Sequence, residues 1–157
     1  MTEKKNEQEI QQELQRLIVE INRLQGQMEA INAQIDLIES SISELNRVEE
    51  TLKGVKELEG DEEVLVPVGA QSFVRACVTD TERVIVGIGA GVAVERTIDE
   101  ALESIDGQRQ ELEKARAEAQ QKLQELAQEL QEKQRKAQEL AQQLEGAQRT
   151  VQQSSGE

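Results

Sequence analysis

Aromatic residues are almost missing from this 157-residue chain: Phe73 stands alone, with no Trp and no Tyr. A globular core of this length normally takes much of its buried area from aromatic rings, so their absence argues against an ordinary compact domain. Histidine is absent and Cys77 is the sole cysteine, which removes the usual general base, the imidazole metal ligand and any internal disulfide. Positive charge is in short supply, 18 Lys and Arg against 32 Asp and Glu, for a net charge of −14. Such an acidic balance counts against binding a nucleic-acid backbone or an anionic membrane surface. The longest apolar run without a charge, Val84 to Val94, is eleven residues and contains three glycines, too short to span a bilayer, and the first residues, MTEKKNEQ, are polar. A soluble, cytoplasmic protein is expected. No Ser, Thr or Lys sits in a nucleophile setting, so no enzyme activity, cofactor or metal is expected. Gly87-Ile88-Gly89-Ala90-Gly91-Val92 has the look of a phosphate-binding glycine loop but no βαβ unit around it, and reads as a hairpin turn.

What is present is heptad repetition. From Ile10 the apolar residues fall at Leu14, Leu17, Ile21, Leu24, Met28, Ile31, Ile35, Ile38, Ile42 and Leu45, and, past Glu49, at Leu52, with spacings alternating four and three. That is a coiled-coil seam. The helix carrying it is expected to stop at Gly54 or Gly60. A second seam runs through Ile98, Leu102, Ile105, Arg109, Leu112, Arg116, Ala119, Leu123, Leu126, Leu130, Lys133, Ala137, Leu140, Leu144, Ala147 and Val151. Its start is marked by Thr97-Ile98-Asp99-Glu100, a capping box in which the hydroxyl and the Glu100 carboxylate each take a free backbone N–H. Two seams of similar length suit one antiparallel helical hairpin. If Leu52 faces Leu102, the seam violations Glu49 and Arg109 come within reach of each other; they either pair or both turn outward to water.

Between the helices lies Asp61 to Thr97, where β-branched runs alternate with turn residues. Four strands are expected, Glu63–Val68, Ser72–Val78, Arg83–Ile88 and Val92–Arg96, as two tandem β-hairpins. The third strand is apolar on both faces and needs cover on both faces, which four short strands cannot give themselves. The cover must come from other subunits. The fold class is therefore α+β, with a long two-helix coiled coil over 1–60 and 98–157 joined by an oligomerisation segment over 61–97.

This order, a heptad helix, hairpins reading VLVPVGAQSFVRACV and DTERVIVGIGAGVAVERTIDEA, then a second heptad helix, closely resembles the alpha-type subunits of the prefoldin family, most like the archaeal form. The resemblance implies a hexamer of two alpha and four beta subunits, with the hairpins closed into a β-barrel platform and six coiled coils projecting as tentacles. It implies that unfolded polypeptides are gripped at the tentacle ends without ATP and passed to a group II chaperonin. Platform contacts are expected from Val64, Val66, Phe73, Val84, Val86, Ile88, Val92 and Val94, and the ends fall at 1–24 and 130–151. There the first helix carries more apolar surface than its seam uses, Ile18 and Val19 beside Leu17. If the end unwinds, Ile10, Leu14, Leu17 and Ile18, with Leu140, Leu144 and Val151, become available to an unfolded client, and weak contacts accumulate over several arms. Closed seam packing to the last turn is the competing reading, and a structural scaffold or spacer the competing function.

Overall fold

The computed structural model describes residues 2–156, with side chains from Asn6 onward. Helix α1 spans Thr2–Glu57 and helix α2 spans Ile98–Ser154; between them lie β1 (Glu63–Gly69), β2 (Ser72–Cys77), β3 (Arg83–Gly89) and β4 (Val92–Thr97). Its contacts divide the chain into two units, one of Met1–Asp36 with Ala117–Glu157 and one of Leu37–Arg116.

In the second unit the helices pair antiparallel through Ile38, Ile42, Ile98, Ala101 and Ile105, all buried, with Leu45, Leu52 and Leu102 half-buried beside them. The capping box forms as its residues dictate: the Glu100 amide donates to Thr97 Oγ1 at 3.1 Å, and the Thr97 amide donates to Glu100 Oε2 at 3.2 Å. Lys56 on the last turn of α1 reaches Asp99 on the first turn of α2 at 2.5 Å, so opposite charges close the helix ends that meet the strands. Helix α1 runs through Gly54 and ends at Glu57. A glycine facing open space costs only about 1 kcal/mol of helix stability, and Val55 and Leu58, both half-buried, hold the extra turn.

Glu49 and Arg109 pair: the guanidinium donates to Glu49 Oε2, and Lys53 donates to Glu49 Oε1 at 2.7 Å. The Glu49 carboxyl is held below the usual range chiefly by the Lys53 hydrogen bond and then by Arg109, against partial desolvation. Because the seam shields both side chains to about one-fifth exposure, they are coupled. Glu49→Gln and Arg109→Gln are each expected to lower the melting temperature by about 2–4 °C, the double variant by less than the two together, and the swapped pair Glu49→Arg with Arg109→Glu to recover most of the loss.

In the first unit Leu17, Leu24, Ile35 and Leu126 are buried, with Leu24 only 1% exposed. Lys133 fills a seam position and meets Glu20, one residue off the opposite seam, at 2.7 Å. The ammonium hydrogen bond lowers the Glu20 pKa, and the same bond raises that of Lys133. The carboxylate's contribution to stability is present above its usual titration near pH 4.5 and lost as pH falls through its lowered value. The ammonium's is present below about 10.5 and lost as pH rises through its raised value. The melting-temperature advantage of the wild type over Glu20→Gln is therefore expected to be flat between about pH 5 and 10 and to shrink beyond either side, as read by circular dichroism.

The strands form two separate two-stranded sheets, β1 with β2 and β3 with β4. Their registers coincide when 20 is added to each residue number. Leu65 pairs with Arg75 as Ile85 pairs with Glu95, Val66 with Val74 as Val86 with Val94, and Pro67 with Phe73 as Gly87 with Ala93. Each ladder shifts at the same place, between Pro67 and Gly69 or Gly87 and Gly89. The turns repeat too: Ala70 and Gln71 have φ of 48° and 59°, Ala90 and Gly91 51° and 74°. Both central residues being left-handed gives the turn whose twist matches a hairpin. Residues 63–77 and 83–97 thus align without a gap as one repeated unit, identical at five of fifteen positions.

Candidate interaction surfaces

Neither hairpin covers its own apolar residues. Leu65, Val66, Val68, Phe73, Val74, Ile85, Ile88 and Val92 are all exposed, Ile85 most at 77% and Leu65 at 62%. Strand alternation sorts them. In the second hairpin the even-numbered side chains Val84, Val86 and Val94 are half-buried toward the helix pair, where a groove of about 710 Å³ separates β3 from Val48, Leu52, Ala101 and Ile105. The odd-numbered residues, Ile85 and Gly87 with Ala93 and Glu95 opposite, are the more open, Ile85 at 77%. Its base carries a cross-strand pair, Arg83 with Glu95 at 3.6 Å, and the first hairpin carries the reverse pair, Glu63 with Arg75 at 3.5 Å. Asp80 fixes the link between the hairpins by accepting from the amides of Glu82 (2.9 Å) and Arg83 (3.0 Å), bonds that hold its carboxyl below the usual range.

At the terminal ends of the helices the seam loosens. Among the described residues Leu17 is the outermost buried one of α1 and Leu126 of α2; Ile10, Leu14, Leu130, Leu140, Leu144 and Ala147 are only half-covered. Val151 is 56% exposed and, with Ile10 and Ala147, lines a groove of about 210 Å³ between the two helices. Ile18 and Val19 are exposed alongside.

The family model described as "Prefoldin subunit" matches residues 24–143, both hairpins and most of both helices. The chain belongs to the prefoldin family. It is 96% identical over 123 residues, 78% of each chain, to the prefoldin subunit alpha of Methanopyrus kandleri. It is 37% identical over 104 residues to that of Pyrococcus horikoshii, covering 66% of this chain and 70% of the relative. A cryo-EM structure of filamentous PFD from Methanocaldococcus jannaschii is similar with a TM-score of 0.64 at 28% identity, over 71% of this chain and 93% of that one. Helix–hairpin–hairpin–helix is thus a prefoldin arrangement.

Set against this geometry, the platform residues expected from sequence divide into two groups. Val66, Phe73, Ile88 and Val92 are exposed, whereas Val64, Val84, Val86 and Val94 are half-covered by the chain itself. Leu65, Val68, Val74 and Ile85, more open than the latter four, were not singled out by sequence. Of the end residues, Ile10, Leu14, Leu140 and Leu144 lie half-open, Ile18 and Val151 are exposed, and Leu17 is closed in the seam. Among the described residues no helix is long and apolar enough to cross a membrane, and no three His, Cys, Asp or Glu side chains converge as a metal site.

Proposed function

We propose that this chain is the alpha-type subunit of an ATP-independent holding chaperone. Its hairpins close a β-barrel platform with a second alpha-type and four beta-type subunits, and the terminal ends of its helices hold unfolded polypeptides before a group II chaperonin receives them in the cytoplasm. The observation that carries the reading is the row of large apolar side chains open on both hairpins, with Ile85 77% exposed. Surface of that kind on a chain with 32 acidic residues and a strongly hydrated exterior is stable only when other subunits cover it. The loosened seam beyond Leu17 and Leu126 supports the client-holding part, since half-covered leucines and isoleucines offer weak apolar contact that becomes strong when several arms act together.

The test is to mix the chain with beta-type prefoldin subunits and measure both the mass of the assembly and the aggregation of a denatured client, with no nucleotide present. A defined hexamer that suppresses aggregation is expected. An assembly with no effect on the client at several-fold molar excess excludes the holding role. The structural-scaffold reading draws on the similar Methanocaldococcus jannaschii protein, which is filamentous. It predicts the contrary result: particles that lengthen with concentration and leave client aggregation unchanged.

A further inference from the structure

Leu37, at 71%, is the most exposed large apolar side chain on either helix among the described residues. It stands outside the seam, whose neighbouring members Ile38 and Ile42 are buried. Eleven residues further on, about three turns along the same face of α1, Val48 is exposed too, at 41%. Val48 lines the groove of about 710 Å³ beside β3, together with Ala101, Ser104 and Gln108 of α2. The apolar wall of that groove therefore continues along α1, away from the strands and past the exposed Ser41 to Leu37, over about 16 Å.

The unpaired charge on this face has one sign. Glu44 stands between Leu37 and Val48 on α1, and Glu111 lies one turn beyond Gln108 on α2, both exposed. Neighbouring cations are engaged elsewhere, Lys53 and Arg109 by Glu49 and Lys56 by Asp99, and neither carboxylate has an ion-pair partner among the described residues. The unit from Leu37 to Arg116 carries 18 Asp and Glu against 9 Lys and Arg. A second copy of the same face would meet its own charge there, so the face selects against self-association and for a basic partner. Both helices satisfy their own backbones, so they offer no edge to an extended strand. The small side chains Ser41, Ala101 and Ser104 instead let a third helix come close, with apolar anchors at the spacing that Leu37 and Val48 set.

We propose that this face docks a basic amphipathic helix formed by a segment of an unfolded client. The apolar side of the segment covers Leu37 and Val48, and its lysines or arginines meet Glu44 and Glu111. The inference rests on the holding-chaperone reading. It adds to that reading a class of client segment and a second place of grip, on the part of the helix pair nearer the strands rather than at its terminal end.

The test uses the assembly with beta-type subunits and two fluorescein-labelled peptides of about 18 residues, enough for about five helical turns. One has leucine and lysine in amphipathic order; the other has glutamate in place of lysine. Fluorescence anisotropy is expected to show the leucine–lysine peptide bound about ten-fold or more tightly than the other, by a margin that shrinks with added salt. Leu37→Gln is expected to weaken that binding by about ten-fold, with an unchanged circular dichroism spectrum because the side chain lies outside the seam. Glu44→Lys with Glu111→Lys is expected to reverse the preference between the peptides. Ile18→Glu with Val19→Glu, at the terminal ends, is expected to leave the affinity within about two-fold. Equal binding of the two peptides, or leucine–lysine binding unchanged by Leu37→Gln and by the double reversal, overturns the proposal. So does a Leu37→Gln chain that no longer joins beta-type subunits, since the face is then a subunit contact. If the leucine–lysine peptide fails to bind while the assembly still suppresses client aggregation, the docking face falls and the holding reading stands. If the peptide binds as expected and aggregation is not suppressed, the holding reading falls and the face stands as a site for a basic helix.

Discussion

Lysine at Leu65 and Ile85 together is expected to abolish assembly with beta-type subunits while leaving the helices folded. Both side chains stand on the odd-numbered faces of their hairpins, and each is opposite a charged residue, Arg75 or Glu95, that already lies at the exposed base. Burying a Leu or Ile side chain contributes about 1.5–3 kcal/mol, so losing two of them weakens association by roughly 10²–10⁴-fold before the cost of covering an ammonium is counted. Because the hairpins make no use of these side chains in their own chain, the monomer is expected to melt within a few degrees of wild type. Native mass spectrometry of the mixed subunits and circular dichroism of the chain alone separate the two effects. Intact assembly in the double variant removes the odd-numbered faces from the platform.

The second large effect is expected at the helix ends. Removing the first sixteen residues together with the turns from Leu140 onward deletes Ile10, Leu14, Leu140, Leu144 and Val151, the half-open and exposed apolar residues around the terminal groove, and stops short of Leu17 and Leu126, the outermost buried ones. On the proposed function each arm is then expected to lose several weak apolar contacts at once. Since contacts from several arms multiply, the concentration needed to suppress client aggregation is expected to rise by about ten-fold or more while the hexamer keeps its stoichiometry. Suppression equal to that of the full-length assembly places client binding elsewhere, with the open strand faces as the next candidates. Replacing Ile18 and Val19 by Glu tests the same surface without shortening the helix, because both side chains are exposed and neither belongs to the seam.

Much of this geometry is written in the order of residues, and the parts that are not have physical reasons. The first seam is legible because its period never slips: every position from Ile10 to Leu52 is buried or half-buried, Glu49 included. Strand limits fall within one residue of those expected, since Gly69, Gln71, Gly89 and Gly91 leave little choice of turn. The Glu20–Lys133 pair was not read, because Glu20 is off the seam and its partner is fixed only once the register of two helices is known. Nor was the repeat of the hairpins, where Pro67 against Gly87, Phe73 against Ala93 and the exchange of Glu63 and Arg75 for Arg83 and Glu95 hide a shared backbone behind five identities. An alternating pattern says that a strand has two faces; which one the helices shade depends on how the hairpin is set against them, and so Leu65 and Ile85, more open than Val64, Val84, Val86 and Val94, do not follow from the sequence.

The strands are not joined to the two helices in the same way. Helix α2 begins at Ile98, the residue after β4 ends, and that junction is pinned by the Thr97–Glu100 box and by the Ile98–Glu82 backbone bond. Between α1 and β1 lie the five residues Leu58 to Glu62, and Asp61 among them has a left-handed φ of 70°. A tilt of the strands is therefore passed on to α2 as through a welded lever, while α1, five residues away from β1, is steered by its packing against α2 and by the Lys56–Asp99 contact. Load on the first turn of α2 would return to the strands through the same stiff junction.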